Sequence, residues 1–206
     1  MNYFNIYFLI ILTIFPLLGC QKSNKSIKQI YNKSYINDFE LVQENPNNQT
    51  IIKIISPKAI IYPQNNDIDI FDSSIEVINK STRTLKVKSG NANLNNLSNF
   101  IKVYNNVNIS FLENENYNIS TNSFNWDLDK SVIEINNSLD INFDDTMINA
   151  TNGLYNIDSN ILKIDNSEFK RNIYNSEGFE EYILEIKSDI AKWFKNENTL
   201  VFSSNN

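Results

Sequence analysis

Histidine is absent from this chain of 206 residues. The side chain most used for proton transfer near neutral pH, and the commonest metal ligand, is therefore missing. No other stretch sets a nucleophile beside a base, so the sequence reads as a non-enzyme without metal or cofactor. Cysteine occurs once, at Cys20, so no internal disulfide can form. Glycine and proline number only four each. Asparagine is abundant and is expected to do much of the turn work in their place. Basic groups are also in deficit: 18 Lys and Arg against 24 Asp and Glu leave a net charge of -6. The electropositive footprint that phosphate backbones require is missing, and nucleic acid is excluded as a general partner.

A long apolar run is present only at the start, in MNYFNIYFLIILTIFPLLGC. Its core, Tyr7 to Gly19, falls short of the roughly 20 residues needed to cross a bilayer as a helix. Residues 1–19 read as a lipoprotein-type signal peptide, because Leu17-Leu18-Gly19-Cys20 resembles a bacterial lipobox. Cys20 is then the lipid-attachment residue, and 20–34 form a polar tether carrying Lys22, Lys25, Lys28 and Lys33. An uncleaved apolar anchor is the alternative. In either case the rest of the chain is expected to be held at a membrane surface, facing away from the cytoplasm.

Residues 183–202, ILEIKSDIAKWFKNENTLVF, have apolar residues at helical spacing, with Phe179, Ile183, Ile186, Ile190, Trp193 and Phe194 at three- and four-residue steps. The same stretch aligns without a gap on 51–70, IIKIISPKAIIYPQNNDIDI, and the template recurs five times. Its first apolar position is Ile54, Val87, Ile119, Ile148 and Ile186. A small residue follows two places on: Ser56, Ser89, Thr121, Ala150 and Ser188. After a step of three come Ala59, Ala92, Phe124, Gly153 and Ala191, then the large Ile61, Leu94, Trp126, Tyr155 and Trp193. Beyond a polar segment, Ile68, Ile101, Ile133, Leu162 and Leu200 precede Ile70, Val103, Ile135, Ile164 and Phe202.

A period of two inside each unit means strands with one buried face. The step of three throws the second half onto the wrong face unless a bulge or bend absorbs one residue, and Pro57 and Gly90 stand where it would lie. Bent strands in hairpins are expected, with turns at Pro63 to Asn66, Asn95 to Asn99, Asp127 to Lys130, Asn156 to Asn160 and Lys195 to Asn198. Ile75 to Val77, Val107 to Phe111 and Leu139 to Phe143 read as a third strand in three units. Exposed edges of such a sheet would invite strand pairing with a partner.

The five template copies resemble the OstA/LptC family of lipopolysaccharide transport proteins, most closely in NATNGLYNIDSNILKIDNS (149–167) and NSFNWDLDKSVIEINNSLDINF (122–143). The resemblance covers about residues 35 to 202 and implies an LptC-like domain over 35–206. The implied fold is all-β: an open, V-shaped antiparallel β-jellyroll of about five repeated bent hairpins. The implied role is passage of lipopolysaccharide, held by its lipid A acyl chains, from an inner-membrane ABC transporter to a periplasmic bridge protein of the same fold. The N-terminal edge would meet the transporter's periplasmic domains and the C-terminal edge the bridge. The location implied is the periplasmic face of the inner membrane, here with a lipid anchor where family members carry a transmembrane helix.

Candidate groove residues are the repeated inward positions Ile54, Ile61, Val87, Leu94, Ile119, Trp126, Ile148 and Tyr155. Candidates for the C-terminal docking edge are Ile186, Trp193, Leu200 and Phe202. The bland reading of the same residues is ordinary core packing, and the rival function is a structural or adhesive surface lipoprotein whose β-repeats are filled solid. The pairs Asp67/Asp69, Asp127/Asp129 and Asp144/Asp145 lack the loop that calcium needs and read as solvated turns.

Overall fold

Asparagine makes most of the turns. The structure, a computed structural model, describes residues 32–45, 49–79, 82–111 and 117–204. The expected signal peptide, Cys20 and the tether as far as Tyr31 lie outside the described residues. The strands are β1 (Ser34–Asn45), β2 (Thr50–Tyr62), β3 (Asp67–Asn79), β4 (Thr82–Asn95), β5 (Phe100–Phe111), β6 (Asn118–Asp127) and β7 (Val132–Ile135). They continue with β8 (Leu139–Phe143), β9 (Thr146–Ala150), β10 (Asn152–Asn156), β11 (Ile161–Tyr174), β12 (Glu180–Phe194) and β13 (Thr199–Ser203). A 3-10 turn, Lys195–Glu197, joins the last two. The helical spacing at 183–202 is thus resolved as two strands.

Five hairpins end their loops on a left-handed residue: Asn66, Asn99, Ser131, Asn160 and Asn198, with φ of 57, 47, 54, 56 and 48°. Asn enters that region at less cost than most non-glycine residues, because its short amide can bond locally. The scarcity of glycine is thereby explained. In the third hairpin the turn lies one residue later than expected, at Leu128 to Ser131. There Lys130 donates to the Asp127 carboxylate at 2.7 Å and holds it below the usual aspartate range.

Each template copy is one of these hairpins, and its large residue lies directly across from the next inward residue: Ile61↔Ile68, Leu94↔Ile101, Trp126↔Ile133, Tyr155↔Leu162 and Trp193↔Leu200. The Ala-like position faces a bulkier residue, as in Ala59↔Ile70, Ala92↔Val103, Gly153↔Ile164 and Ala191↔Phe202. Small against large fills the pleat without overlap. All pairings are antiparallel, in the order β1 through β7, then β10 to β13, with β8 and β9 completing the other half between β6 and β11. The all-β antiparallel jellyroll is open: β1 and β13 stand at opposite ends of that order and, among the described residues, do not pair with each other.

The bends are aligned across the sheet. Asp38, Asp72 and Asn166 interrupt β1, β3 and β11 with φ of 52, 51 and 48°. The flanking registers set Asp38 opposite Pro57, Pro57 opposite Asp72, Asp72 opposite Gly90, and Asn166 opposite Asp189. Of the two alternatives at Pro57 and Gly90, a bulge or a bend, the bend is what forms across β1 to β4. A register shift arises when only one strand has an extra residue; here both neighbours have one, and the shifts cancel. The exception is β5, where Asn105 and Asn106 are both left-handed and the register slips on each flank. A side chain at Gly90 would sit 3.2 Å from the Asn105 carbonyl oxygen, so close approach of the backbones is what that glycine permits.

The bend also explains the small residue of the template. Ser56, Ser89 and Ser188 each donate to the carbonyl two residues ahead, at Lys58, Asn91 and Ile190, at 2.7, 3.0 and 3.0 Å. These carbonyls flank the bend, and the serine hydroxyls, buried at Ser56 and Ser89 and half-buried at Ser188, supply them with a donor. Ser73 and Ser89 also bond across strands at 2.7 Å, and Ser167 and Ser188 at 3.0 Å.

The segments read as third strands are the far halves of bent strands, in β3 and β5, or the separate β8. Every bent strand thus contributes to two leaves, and the leaves face each other. Phe111 of one leaf meets Tyr155 and Trp193 of the other edge to face, with ring centroids 5.3 and 5.8 Å apart. One hydrophobic cluster runs from Phe39 to Trp193 between them.

Replacing Ser89 with Ala should lower the unfolding free energy by about 1–3 kcal/mol, the cost of leaving the buried Ser73 hydroxyl and the Asn91 carbonyl without this partner. Urea denaturation checks this, and an unchanged midpoint would show that the hydroxyl does not support the bend.

Candidate functional site

The candidate site is the inner face of the two leaves. Ile54, Val87, Leu94, Ile119, Trp126, Ile148 and Tyr155 are all buried in the one core cluster, and Ile61 is half-buried against it. Along the middle of the molecule they belong to one continuous apolar cluster. The indole N–H of Trp126 is buried without a hydrogen-bond partner.

The inner face changes character toward β13. An aromatic group gathers there that the template does not contain: Phe111, Tyr117 and Phe143 surround Trp193, with centroid distances of 5.8, 4.9 and 5.8 Å. The Tyr117 hydroxyl donates to Asn198 Oδ1 at 3.0 Å, tying the last turn to the opposite leaf. The Lys195 ammonium lies 4.5 Å from the Phe111 ring centroid, a cation–π contact at a largely buried site.

Beyond this group the leaves part. A cleft of about 190 Å³ opens between Phe143, Thr146, Ile148, Phe169 and Arg171 on one leaf and Trp193, Asn198, Leu200 and Phe202 on the other. It is smaller than the several hundred Å³ of a typical small-molecule pocket and somewhat larger than the roughly 150 Å³ that holds a benzene ring. Its size suits one segment of a hydrocarbon chain. Of the expected docking-edge residues, Trp193 is buried, while Ile186, Leu200 and Phe202 are half-buried and belong to this inner surface.

The edge itself consists of other residues. Only Ile190–Phe194 of β12 pairs with β13, so among the described residues the preceding segment of β12 has one unpaired side. Tyr182, Ile183 and Leu184 stand exposed on it. On its outer face, Lys187 and Lys170 hold the Glu168 carboxylate below its ordinary range, and Lys170 also reaches Glu185 at 3.5 Å. The sequence comparison places Ile183 and Leu184 opposite Ile51 and Ile52 but does not mark them as an edge, because the five-copy template begins at Ile186. Phe169 and Arg171 were passed over because it stops at Ile164, although continuing the period of two through Ser167 reaches both.

No metal-competent group of three acidic, Cys or His side chains occurs among the described residues. Asp67 and Asp69 instead accept bonds from Asn95 and Asn93, each at 2.7 Å.

The fold is thus an open antiparallel jellyroll with a mainly apolar inner face whose leaves part at one end. The chain belongs to the lipopolysaccharide-assembly, LptC-related family, whose profile matches residues 6–167. It is a periplasmic component of lipopolysaccharide transport. A solved structure with some similarity is LptH from Pseudomonas aeruginosa, described as the LptA homologous periplasmic component of the conserved lipopolysaccharide transport device. The likeness has a TM-score of 0.43 and 7% identity and covers 66% of this chain and 93% of that one, and no functional conclusion rests on it. No curated protein matches the chain in sequence.

Truncating Trp126 to Ala should cost about 3–5 kcal/mol of stability. Trp126→Phe should cost less than half as much, because it also removes the unpartnered indole N–H. Equal losses for the two variants in chemical denaturation would contradict the packing described.

Proposed function

We propose that the protein receives lipopolysaccharide from the periplasmic domains of an inner-membrane ABC transporter and passes it to a periplasmic bridge of the same fold. The observation that carries this reading is the continuity of the apolar inner face, from the packed middle of the sheet into the cleft between Ile148, Phe169 and Phe202. An acyl chain gains roughly 0.8 kcal/mol for each CH2 removed from water. A surface that accepts chains without a covalent step lowers the barrier to crossing an aqueous space.

The unpaired side of β12 supports the bridge side of the reading. Its free backbone groups and exposed Tyr182, Ile183 and Leu184 suit strand addition by a partner edge. β1, at the other end of the strand order, is the edge proposed for the transporter. A lipid on Cys20 would hold the domain at the periplasmic face of the inner membrane, a reading that rests on the lipobox-like sequence alone. Membership in a lipopolysaccharide-assembly family weighs against the rival, a solid adhesive lipoprotein.

A photocrosslinking residue at Phe202, in the cleft, should capture lipopolysaccharide in living cells. The same residue at Leu97, 77% exposed on a turn, should not. Equal capture at both positions, or none at Phe202, would count against the reading.

A further inference from the structure

Arg171 occupies an anomalous place. The inner positions of β11 run Leu162, Ile164, Ser167 and Phe169, and the next position in that alternation is a guanidinium. Its backbone is fixed on both sides, by pairing with Thr146 of β9 and Leu184 of β12. The side chain lines the apolar cleft together with Phe143, Phe169 and Phe202. It makes no ion pair among the described residues. Of the carboxylates on its own strand and the next, Asp165 is paired with Lys163, and Glu168 and Glu185 are engaged by Lys170 and Lys187; Glu180, Glu181 and Asp189 lie further along β12. The turn that follows β8, Asp144–Asp145, adjoins the same rim, and the Asn172 N–H donates to the Asp145 carbonyl, so the rim is not uniformly basic.

A guanidinium on an apolar wall lays its methylenes along the hydrocarbon surface and holds its charged head at the water line. Its planar fork matches phosphate oxygens better than a water shell does. We propose that Arg171 is the headgroup-selecting residue of the cleft, and that it pairs with a phosphate on an amphiphile whose chain lies between Phe143, Phe169 and Phe202. The inference rests on the lipid-binding reading above and adds to it a specific polar determinant and an orientation: chain inward, phosphate at the mouth beside β12. Rigid placement on a doubly paired strand, not a loop, gives the contact its selectivity.

The test uses the full chain kept soluble in a non-ionic amphipol, with binding followed by the NMR shift of the Trp193 indole N–H, which borders the cleft. Octyl phosphate should bind at least about tenfold more tightly than octyl glucoside, the scale of one charge-assisted contact. Arg171→Gln should bring octyl phosphate down to the glucoside level, leave glucoside affinity unchanged and leave the melting temperature unchanged. Arg171→Lys should keep part of the preference. Inorganic phosphate alone should leave Trp193 unshifted. Equal affinities in the wild type, with glucoside still bound, would overturn the role of Arg171 while leaving the lipid reading intact; binding of neither amphiphile would overturn both. Inorganic phosphate binding as tightly as octyl phosphate would make this a plain anion site, and a lowered melting temperature in Arg171→Gln would make the residue structural. Either result would overturn the proposal.

Discussion

One constraint organises the molecule: neighbouring strands bend at the same level. A strand that steps by three instead of two turns its second half over, and in a flat sheet that would send half of its apolar side chains into water. Here Asp38, Pro57, Asp72 and Gly90 align across β1 to β4, so these strands turn together and keep their register through the bend, while β5 slips by a residue on each flank. The outcome is two leaves made from the same strands, each with its apolar face toward the other. Serine hydroxyls donate to the carbonyls that flank the bend. The interior can therefore be apolar without stranding backbone groups at the turn-over.

That construction separates stability from function along one axis. In the middle, the repeated large residues meet their neighbours and the interior is filled by protein. Toward β13 the leaves part, and the same inner surface becomes a cleft bordered by Phe169, Leu200 and Phe202. The aromatic group around Trp193 stands between the two regimes, with the Tyr117–Asn198 bond holding the last turn against the opposite leaf. A lipid carrier needs a stable framework when unloaded and an apolar surface that hydrocarbon can reach. On the proposed function, the single stripe of inward residues would supply both, according to how closely the facing leaf approaches.

Much of this was legible in the sequence, for a physical reason. Each hairpin repeats the same sterics, so Ile61, Leu94, Trp126, Tyr155 and Trp193 recur in register and disclose strand, turn and inward face together. The leaf-to-leaf contacts were not legible, because a repeat specifies which face is buried but not which distant half packs on it; Phe111 against Trp193 depends on the roll of the whole sheet. The bend was anticipated, but its form was not. Only the lateral comparison of Pro57 with Asp72, and of Asp72 with Gly90, shows that the extra residues cancel. The candidate site was legible as a list of apolar positions. Arg171 and the exposed segment at Tyr182 to Leu184 escaped because they lie outside the repeated template.

On the proposed function, this inner surface carries lipid. Mass spectrometry of the protein purified from its native membrane, sprayed under conditions that preserve non-covalent complexes, tests it most directly. The account expects a bound glycolipid of lipopolysaccharide type that is lost when the protein is unfolded. A preparation that is uniformly free of lipid would contradict it and favour a solid β-repeat that binds its partners from outside.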